Sequence, residues 1–266
     1  YMQSFKNEFD IRVDWEIVSE FGLTSQLGRT LEKTGSSATF YKSEEIGKVY
    51  DLMQDFLVSN QLEYVAENEH TFCHFVYGIL QRMRRHGAVD HPYLYKYRNE
   101  ALTLYALNWQ WDGRHFLNRM FGGSIRFPKL IGINYLERNS DMLDMAALKR
   151  EKTNWFTNYF WRHFNWPIER NITLFNDFNS DLFSKMEEVG LVNKASQGGG
   201  NYVIKPDQSW VSKNVKHIKC SNCQSTLYVA KEDYLAEDTL CLDYKCQGTY
   251  SEETNPELNY YQQVYN

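Results

Sequence analysis

Lys219-Cys220-Ser221-Asn222-Cys223 and Cys241-Leu242-Asp243-Tyr244-Lys245-Cys246 decide how the C-terminal part of this chain folds. The two cysteine pairs have two and four intervening residues, a spacing typical of the chelating loops around a tetrahedral Zn²⁺. The segment between the pairs, 224–240, is long enough to run out and return as strands, which would bring the second pair beside the first. We therefore predict a small β-rich zinc ribbon with one structural zinc. Its ligands would be Cys220, Cys223, Cys241 and Cys246.

Disulfide bonds or free thiols are the alternative interpretation of these cysteines. A fifth cysteine, Cys73, lies without a partner in an apolar run. We also expect that no secretory leader precedes the chain. Both observations favour a reducing, cytoplasmic location and hence zinc. Four thiolates would leave no coordination position for water, so the predicted site supports folding and does not catalyse hydrolysis.

The length of the chain, 266 residues with 42% hydrophobic side chains, suffices for several small modules with cores of their own. No apolar stretch is long enough to cross a bilayer, which predicts a soluble protein. We expect an α+β fold that is predominantly helical. The predicted modules are an N-terminal strand and turn segment (1–42), a helical region (43–139), a winged-helix-like unit (140–214) and the zinc ribbon (215–266).

Helical periodicity and capping signals indicate four helices, and a further helix is predicted after Pro92, near Glu100 to Ala106. Ser43-Glu44-Glu45 begins an apolar pattern that ends at Ser59-Asn60, and a second pattern runs from Glu69 to His86 with Gly87 as its stop. Two further helices are predicted from Met142 to Phe164 and from Asn176 to Val189. Near the N-terminus, the alternating run Ile11 to Trp15 predicts a strand.

A winged helix is predicted where the last of these helices ends. Gly190 terminates the helix, and two strand-like runs follow, Leu191 to Lys194 and Tyr202 to Ile204, separated by a glycine-rich turn. In such folds a helix enters the major groove and the wing lies near phosphates. A similar order over 79–89 leaves open a first winged-helix-like unit upstream.

Net charge is −5, which argues against a generic nucleic-acid binder, but the charge is unevenly distributed. Two basic patches stand in an otherwise acidic chain, and arginine and lysine are the side chains that bind phosphate. The alternative is that they are solvated side chains, with the arginines complementing a helix dipole. The candidate nucleic-acid contacts are Arg82, Arg84, Arg85, Lys194, Lys205 and Lys213.

Catalytic motifs are absent from the sequence. It has no phosphate-binding loop, no Gly-x-Ser-x-Gly elbow and no His-Glu-x-x-His pair. His70 and His74 stand one helical turn apart beside Cys73, and they could share a metal if His86 or His91 supplied further ligands. That arrangement would suit a metal-dependent nuclease, but packed histidines with hydrogen-bond partners are the favoured interpretation.

Several longer segments are similar to a known family. The segments are Phe21 to Ser37, Met83 to Pro92, Cys241 to Tyr250 and Tyr260 to Tyr265. Together they resemble the region between the two motor domains of very large DEAD/DEAH-box superfamily II helicases that carry a cysteine-rich C-terminal domain, as in Druantia-type bacterial anti-phage defence.

This resemblance implies an accessory part of an ATP-dependent helicase whose ATPase motifs lie outside the chain. The expected partners are the flanking motor domains, single-stranded or forked DNA, and other defence proteins. The four C-terminal cysteines would match the family's zinc ligands, and the winged-helix segment would guide DNA past the motor. The alternative function is a protein-docking module of a defence complex without nucleic-acid contact, since winged helices also serve as docking units.

Overall fold

The computed structural model describes residues 30–85, 88–89, 155–165, 172–194, 202–204, 209–243 and 246–254, two short strands at 130–132 and 142–144, and a few positions before residue 30. Over these residues helices combine with short, mainly antiparallel strands, which confirms the predicted mixture of α and β structure. The module boundaries at 42, 139 and 214 stay a prediction. None of the described helices has both the length and the apolar character needed to span a bilayer.

The helices follow the local signals of the sequence closely. Gly190, with φ of 90°, ends the last of them, as the left-handed conformation of a helix stop requires. Acidic side chains in the first turn of the first helix complement its dipole. The helices are α1 (Ser43–Ser59), α2 (Glu63–Ala66), α3 (Glu69–Arg85), α4 (Trp155–Phe164) and α5 (Ile172–Val189).

Two predictions of secondary structure are wrong. Met142–Asp144 forms a strand, so the helix predicted from Met142 begins only at Trp155, because pairing with a distant strand overrides local helical propensity. Val13 is helical within the run predicted to be a strand. Phe9 is also helical, and its i,i+4 spacing with Val13 fits a helix as well as the alternation fits a strand. The helix predicted after Pro92 lies outside the described residues.

Three small sheets accompany the helices in the described part of the chain. The first pairs β1 (Ala38–Phe40) with β6 (Trp210–Ser212) in antiparallel fashion. The remaining strands are β2 (Leu130–Gly132), β3 (Met142–Asp144), β4 (Asn193–Lys194), β5 (Tyr202–Val203), β7 (Val215–Cys220), β8 (Thr226–Ala230) and β9 (Tyr250–Glu252). The second sheet has the order β3-β2-β5-β4, and the third is antiparallel with the order β8-β7-β9.

The predicted helix and hairpin after residue 172 are confirmed. Strand β4 follows α5 and pairs antiparallel with β5, with Asn193 opposite Val203. The upstream segment 79–89, which has a similar order of signals, ends beside this hairpin. Val89 forms a bridge with Ile204, and the Ala88 carbonyl accepts a 2.9 Å hydrogen bond from the Ile204 amide. A hairpin of its own after Val89 would lie outside the described residues.

Aromatic rings fill the core between the helices. Phe75 of α3 is fully buried, and its ring centroid lies 4.9 Å from that of Phe164, 5.5 Å from that of Phe160 and 6.5 Å from that of Phe178. Rings at these separations add to the stabilisation that burial of apolar area supplies. Most of the aromatic rings of α4 thus belong to the packed core.

A buried polar chain crosses this core toward the C-terminal sheet. The Tyr77 hydroxyl donates to Asp233 at 2.7 Å and accepts from the Gln81 amide at 2.9 Å. Arg84 donates to the Gln81 oxygen at 2.6 Å and to both carboxylate oxygens of Glu32 at 2.5 and 3.1 Å. Because buried polar groups are costly unless they are paired, this chain fixes the position of α3 relative to residues 30–37 and to the end of β8.

Candidate metal centre

The four C-terminal cysteines meet at one end of the third sheet. Cys220 is the last residue of β7, Cys223 lies in the turn that follows, and Cys241 and Cys246 lie in the loop that leads to β9. Their sulfur atoms all lie within 4.8 Å of one another. The structure therefore brings together every cysteine that the spacing predicted, and the cluster could hold a metal ion.

The separations between the sulfurs distinguish a metal site from disulfides. The Sγ atoms of Cys220 and Cys246 are 3.6 Å apart, and those of Cys223 and Cys241 are 3.5 Å apart. A disulfide would require about 2.05 Å. Four sulfurs at about 2.3 Å from a central tetrahedral ion would be about 3.8 Å from one another. The observed distances match the second geometry, and all four thiols are free.

Backbone amides point at the sulfurs from both loops. Each donor lies two residues beyond the cysteine it contacts, at 3.4 to 3.5 Å. Hydrogen bonds of this kind stabilise thiolates and orient metal ligands. Burial raises the pKa of Cys246, but the Gly248 amide and neighbouring thiols outweigh it and lower that pKa to about 7. The pairs are Asn222 with Cys220, Asp243 with Cys241, and Gly248 with Cys246.

Gly248 lies so close to the cluster that no other residue fits in its place. A Cβ atom there would lie 2.5 Å from the Cys220 sulfur and 2.8 Å from the Asn222 Cβ. Contacts below 3.0 Å force something to move. The position of this glycine two residues after the last cysteine is the one sequence signal for its role.

Helix α4 holds the second cysteine loop against the helical core. The Arg162 guanidinium donates to the backbone carbonyls of Cys241, at 3.2 Å, and of Cys246. The Trp155 indole nitrogen donates to the Leu242 carbonyl at 2.8 Å. No sequence signal foretold these contacts, because the partners are about 80 residues apart in the chain. Any metal in the cluster would thus organise the junction between sheet and helices.

The predicted arginine cluster does not form a phosphate site as a unit. Arg84 is buried and paired with Glu32, so its predicted phosphate contact is corrected to a structural ion pair. Burial opposes its charge, but Glu32 outweighs burial and raises the pKa of Arg84. Arg82 is half-buried, with its guanidinium 5.0 Å from the centroid of the Trp155 ring, and burial lowers its pKa to about 10. Arg85 is partly exposed at the end of α3.

The predicted wing lysines differ from one another in their surroundings. Lys194 is exposed but lies 3.6 Å from the Glu187 carboxylate. Lys213 is exposed, and Lys205 lies outside the described residues. Two further lysines close to these in the sequence are also paired with acids. Lys216 pairs with Glu237 at 2.5 Å and Lys219 with Glu253 at 3.2 Å.

Two of the residues considered as metal ligands on α3 are in contact with each other. The Nε2 atoms of His70 and His74 are 3.0 Å apart. Cys73 is buried, and burial raises the pKa of its thiol to about 11, which argues against a thiolate ligand there. His86 and His91, the further ligands considered, lie outside the described residues.

Comparisons with protein-family models, with curated proteins and with solved structures gave no match for this chain. Functional inference for this protein therefore starts from its own side chains.

Proposed function

We propose that this chain is a non-catalytic accessory module of an ATP-dependent DNA helicase or translocase, that it is held together by one structural Zn²⁺, and that it docks on the motor domains. The single observation that carries docking over nucleic-acid binding is that acids pair with four basic side chains of the two basic patches, Arg84, Lys194, Lys216 and Lys219. The place within a helicase rests on the resemblance of the four longer sequence segments.

The donor set supports zinc as the metal. Four cysteine sulfurs in a tetrahedral arrangement suit Zn²⁺ or an iron–sulfur centre, and a single ion fits sulfurs within 4.8 Å of one another. The position of the two cysteine loops at one end of the antiparallel β8-β7-β9 sheet supports the proposal of a zinc ribbon. With four protein ligands the ion would have no open position, so it would stabilise the fold and take no part in chemistry.

The arrangement around α5 supports a winged-helix-like unit. Helices α4 and α5 are followed by the β4–β5 hairpin, and β5 also pairs with β2, which comes earlier in the chain. In DNA-binding members of this class the second helix of such a pair enters the major groove. Here α5 would be that helix.

The charges on α5 oppose insertion into DNA. The helix has a single basic side chain, Lys185, which is itself paired with Glu188 at 3.2 Å. Its acids are Asp177, Asp181, Glu187 and Glu188. A helix with this charge would be repelled by phosphates, whereas it would suit a basic protein surface. The unit therefore fits docking on a basic face of a partner domain.

Charge reversal on α5 tests the docking proposal. The double variant Asp177→Lys/Asp181→Lys should lose association with the motor domains of the parent helicase supplied in trans, and it should keep its zinc. The matched control is Glu63→Lys/Glu67→Lys, which changes exposed acids near α2 by the same amount. Equal association of both variants would contradict docking through α5.

Nucleic-acid binding remains a second candidate because of one surface on the first sheet. Trp210 is 49% exposed, and the Lys42 ammonium lies 4.2 Å from the centroid of its ring. Lys213 is exposed near the end of the same strand. An exposed aromatic ring flanked by lysines is the combination that stacks bases and neutralises phosphates of single strands.

Binding of fluorescent single-stranded DNA at two salt concentrations tests this second candidate. If it holds, affinity falls steeply as salt rises, because released counterions drive binding, and Trp210→Ala weakens binding. The control is Trp161→Ala, which removes an equally exposed ring from α4 (48% exposed). Weak binding that is the same in both variants would remove the nucleic-acid function and leave docking.

A further inference from the structure

The contact between His70 and His74 has the features of a second cation site, on the helical side of the molecule and distinct from the cysteine cluster. His74 is buried, with 4% exposure, whereas His70 is exposed. Their Nε2 atoms are 3.0 Å apart and their ring centroids 4.2 Å apart, with the ring planes inclined by 46°. The rings therefore lie side by side and not end to end, with both Nε2 atoms at the same edge of the pair.

A chain of hydrogen bonds fixes the tautomer of His74. The Thr239 hydroxyl donates to the Leu235 carbonyl, so its oxygen is left to accept. The Nδ1 atom of His74 lies 2.7 Å from that oxygen and therefore carries the proton. The Nε2 atom of His74 then presents a lone pair, which accepts a hydrogen bond from the Nε2–H of His70. A shared ion would replace that proton, and His70 would carry its proton on Nδ1 instead. An imidazole whose other nitrogen donates to a fixed acceptor is the arrangement typical of metal-bound histidine.

We propose that His70 and His74 form a two-histidine site for a late first-row divalent cation such as Ni²⁺, Cu²⁺ or Zn²⁺, with Thr239 as the residue that orients His74. This site goes beyond the proposed accessory function. Imidazole nitrogens are preferred ligands of these ions.

The distance between the two nitrogens suits a shared ion. With metal–nitrogen bonds of about 2.0–2.1 Å, nitrogens 3.0 Å apart subtend an angle of about 95° at the metal. That value is close to the angle between neighbouring ligands in square-planar or octahedral coordination. The separation therefore needs little adjustment when an ion binds.

Solvent and exogenous ligands would complete the coordination. Among the residues that the structure describes, the only group of three or more suitable ligands is the cysteine cluster, so this site has two protein ligands. The exposure of His70 provides access from solvent. The site would thus be open, unlike the cysteine site, and weaker.

The protonation state of His74 is compatible with metal binding at neutral pH. Burial, together with His70, lowers the pKa of His74 to about 4. The ring is therefore neutral at pH 7, and its Nε2 lone pair is available without loss of a proton.

Calorimetric titration of the zinc-loaded chain with NiCl₂ at pH 7.5 tests the site. Prior loading with one equivalent of zinc fills the tighter cysteine cluster and leaves the histidine site open, so one further Ni²⁺ should bind per chain. His70→Ala should weaken Ni²⁺ binding at least about tenfold, and Thr239→Val should weaken it about tenfold through loss of the orienting hydrogen bond. Glu69→Ala, at the neighbouring exposed position, is the matched control and should bind Ni²⁺ as the wild type does.

Zinc content and far-UV circular dichroism are measured on each variant so that a folding defect is recognised. Because His70 is exposed, His70→Ala should fold normally and keep its zinc. Absence of Ni²⁺ binding to the wild type, or equal affinity in the wild type and His70→Ala, would overturn the site. Unchanged affinity in Thr239→Val would overturn the role of Thr239.

Discussion

The helical core and the C-terminal sheet of this protein are stabilised by different means. Around Phe75, buried aromatic rings from α3, α4 and α5 pack directly on one another. In the β7-β8-β9 sheet the strands are short, and four sulfur atoms occupy the end where the loops meet. The helices thus pack through apolar burial, whereas the proposed bound ion would hold the loops of the sheet together.

Removal of the metal should have the largest effect. Chelation of zinc should unfold the sheet region, 215–254, and leave α1 and α3 folded, because metal binding to structural cysteine sites contributes on the order of 10 kcal/mol. Hydrogen exchange measured by mass spectrometry with and without chelator reports both regions at once.

A pair of cysteine substitutions is the control for that experiment. Cys220→Ser should reproduce the loss of protection in the sheet, and Cys73→Ser should retain zinc, since Cys73 lies in the helical core. Loss of protection in α1 and α3 to the same extent as in the sheet would contradict the division between the two regions.

Truncation of the central ring should affect the helices first. Phe75→Ala should lower the free energy of unfolding by about 3–5 kcal/mol, as expected for a fully buried phenylalanine. Zinc should remain bound. Urea denaturation followed by circular dichroism measures the loss. Trp161→Ala, which removes a half-exposed ring from α4, should cost far less, and equal losses would contradict the packing account.

Acid should destabilise the helical core through His163. Burial, with Arg162 and His74, lowers the pKa of His163 to about 3. Its Nε2 atom is buried and has no hydrogen-bond partner among the residues that the structure describes. Because an unfolded histidine titrates near pH 6.5, the stability that neutral His163 supports is present above that pH and is lost as the pH falls toward 3.

Replacement by phenylalanine should remove this dependence. The stability of His163→Phe relative to wild type should rise by about 1.4 kcal/mol for each pH unit below 6.5, or about 2–3 kcal/mol by pH 4.5. Urea denaturation at several pH values measures it. A constant difference between the two proteins over this range would show that His163 is not held neutral by the fold.

Replacement of glycine by alanine should change either the stability of the helices or the zinc affinity of the sheet, with smaller effects than the substitutions above. Gly78→Ala places a Cβ 1.9 Å from the Tyr159 hydroxyl, and it should destabilise the helices by about 1–3 kcal/mol without changing zinc affinity. Gly248→Ala should weaken zinc binding and leave the helices intact, since its Cβ would meet the Cys220 sulfur. Competition with a chelator and urea denaturation measure the two quantities.

Gly47→Ala is the control for both glycine variants. Its Cβ would have an ordinary 3.9 Å contact with Glu69, so it should stabilise α1 by up to about 1 kcal/mol. Equal behaviour of all three variants would contradict the close packing inferred at positions 78 and 248.

The features that the sequence predicted correctly are local ones. The bounds of α1 and α3 follow from apolar residues at helical spacing and from end signals a few positions away. The cysteine cluster was predictable because its two short loops present paired ligands wherever the strands between them go. Gly190 marked the end of α5 because a left-handed residue is needed there.

The features that the sequence did not predict depend on distant partners. Met142–Asp144 forms a strand because it pairs with Leu130–Gly132. Arg84 forms an ion pair with Glu32, which lies 52 residues away in the chain. The contact of Arg162 with the cysteine loop spans a still longer separation. Local periodicity has no information about such pairs, so a buried structural arginine and a phosphate-binding one look alike in the sequence.

X-ray absorption spectroscopy at the zinc edge, on protein purified under reducing conditions and dialysed against a weak chelator, tests the central claim most directly. We expect one zinc per chain with four sulfur neighbours at about 2.3 Å and no nitrogen or oxygen in the first shell. A chain without metal, or a zinc with fewer than four sulfurs, would contradict the account.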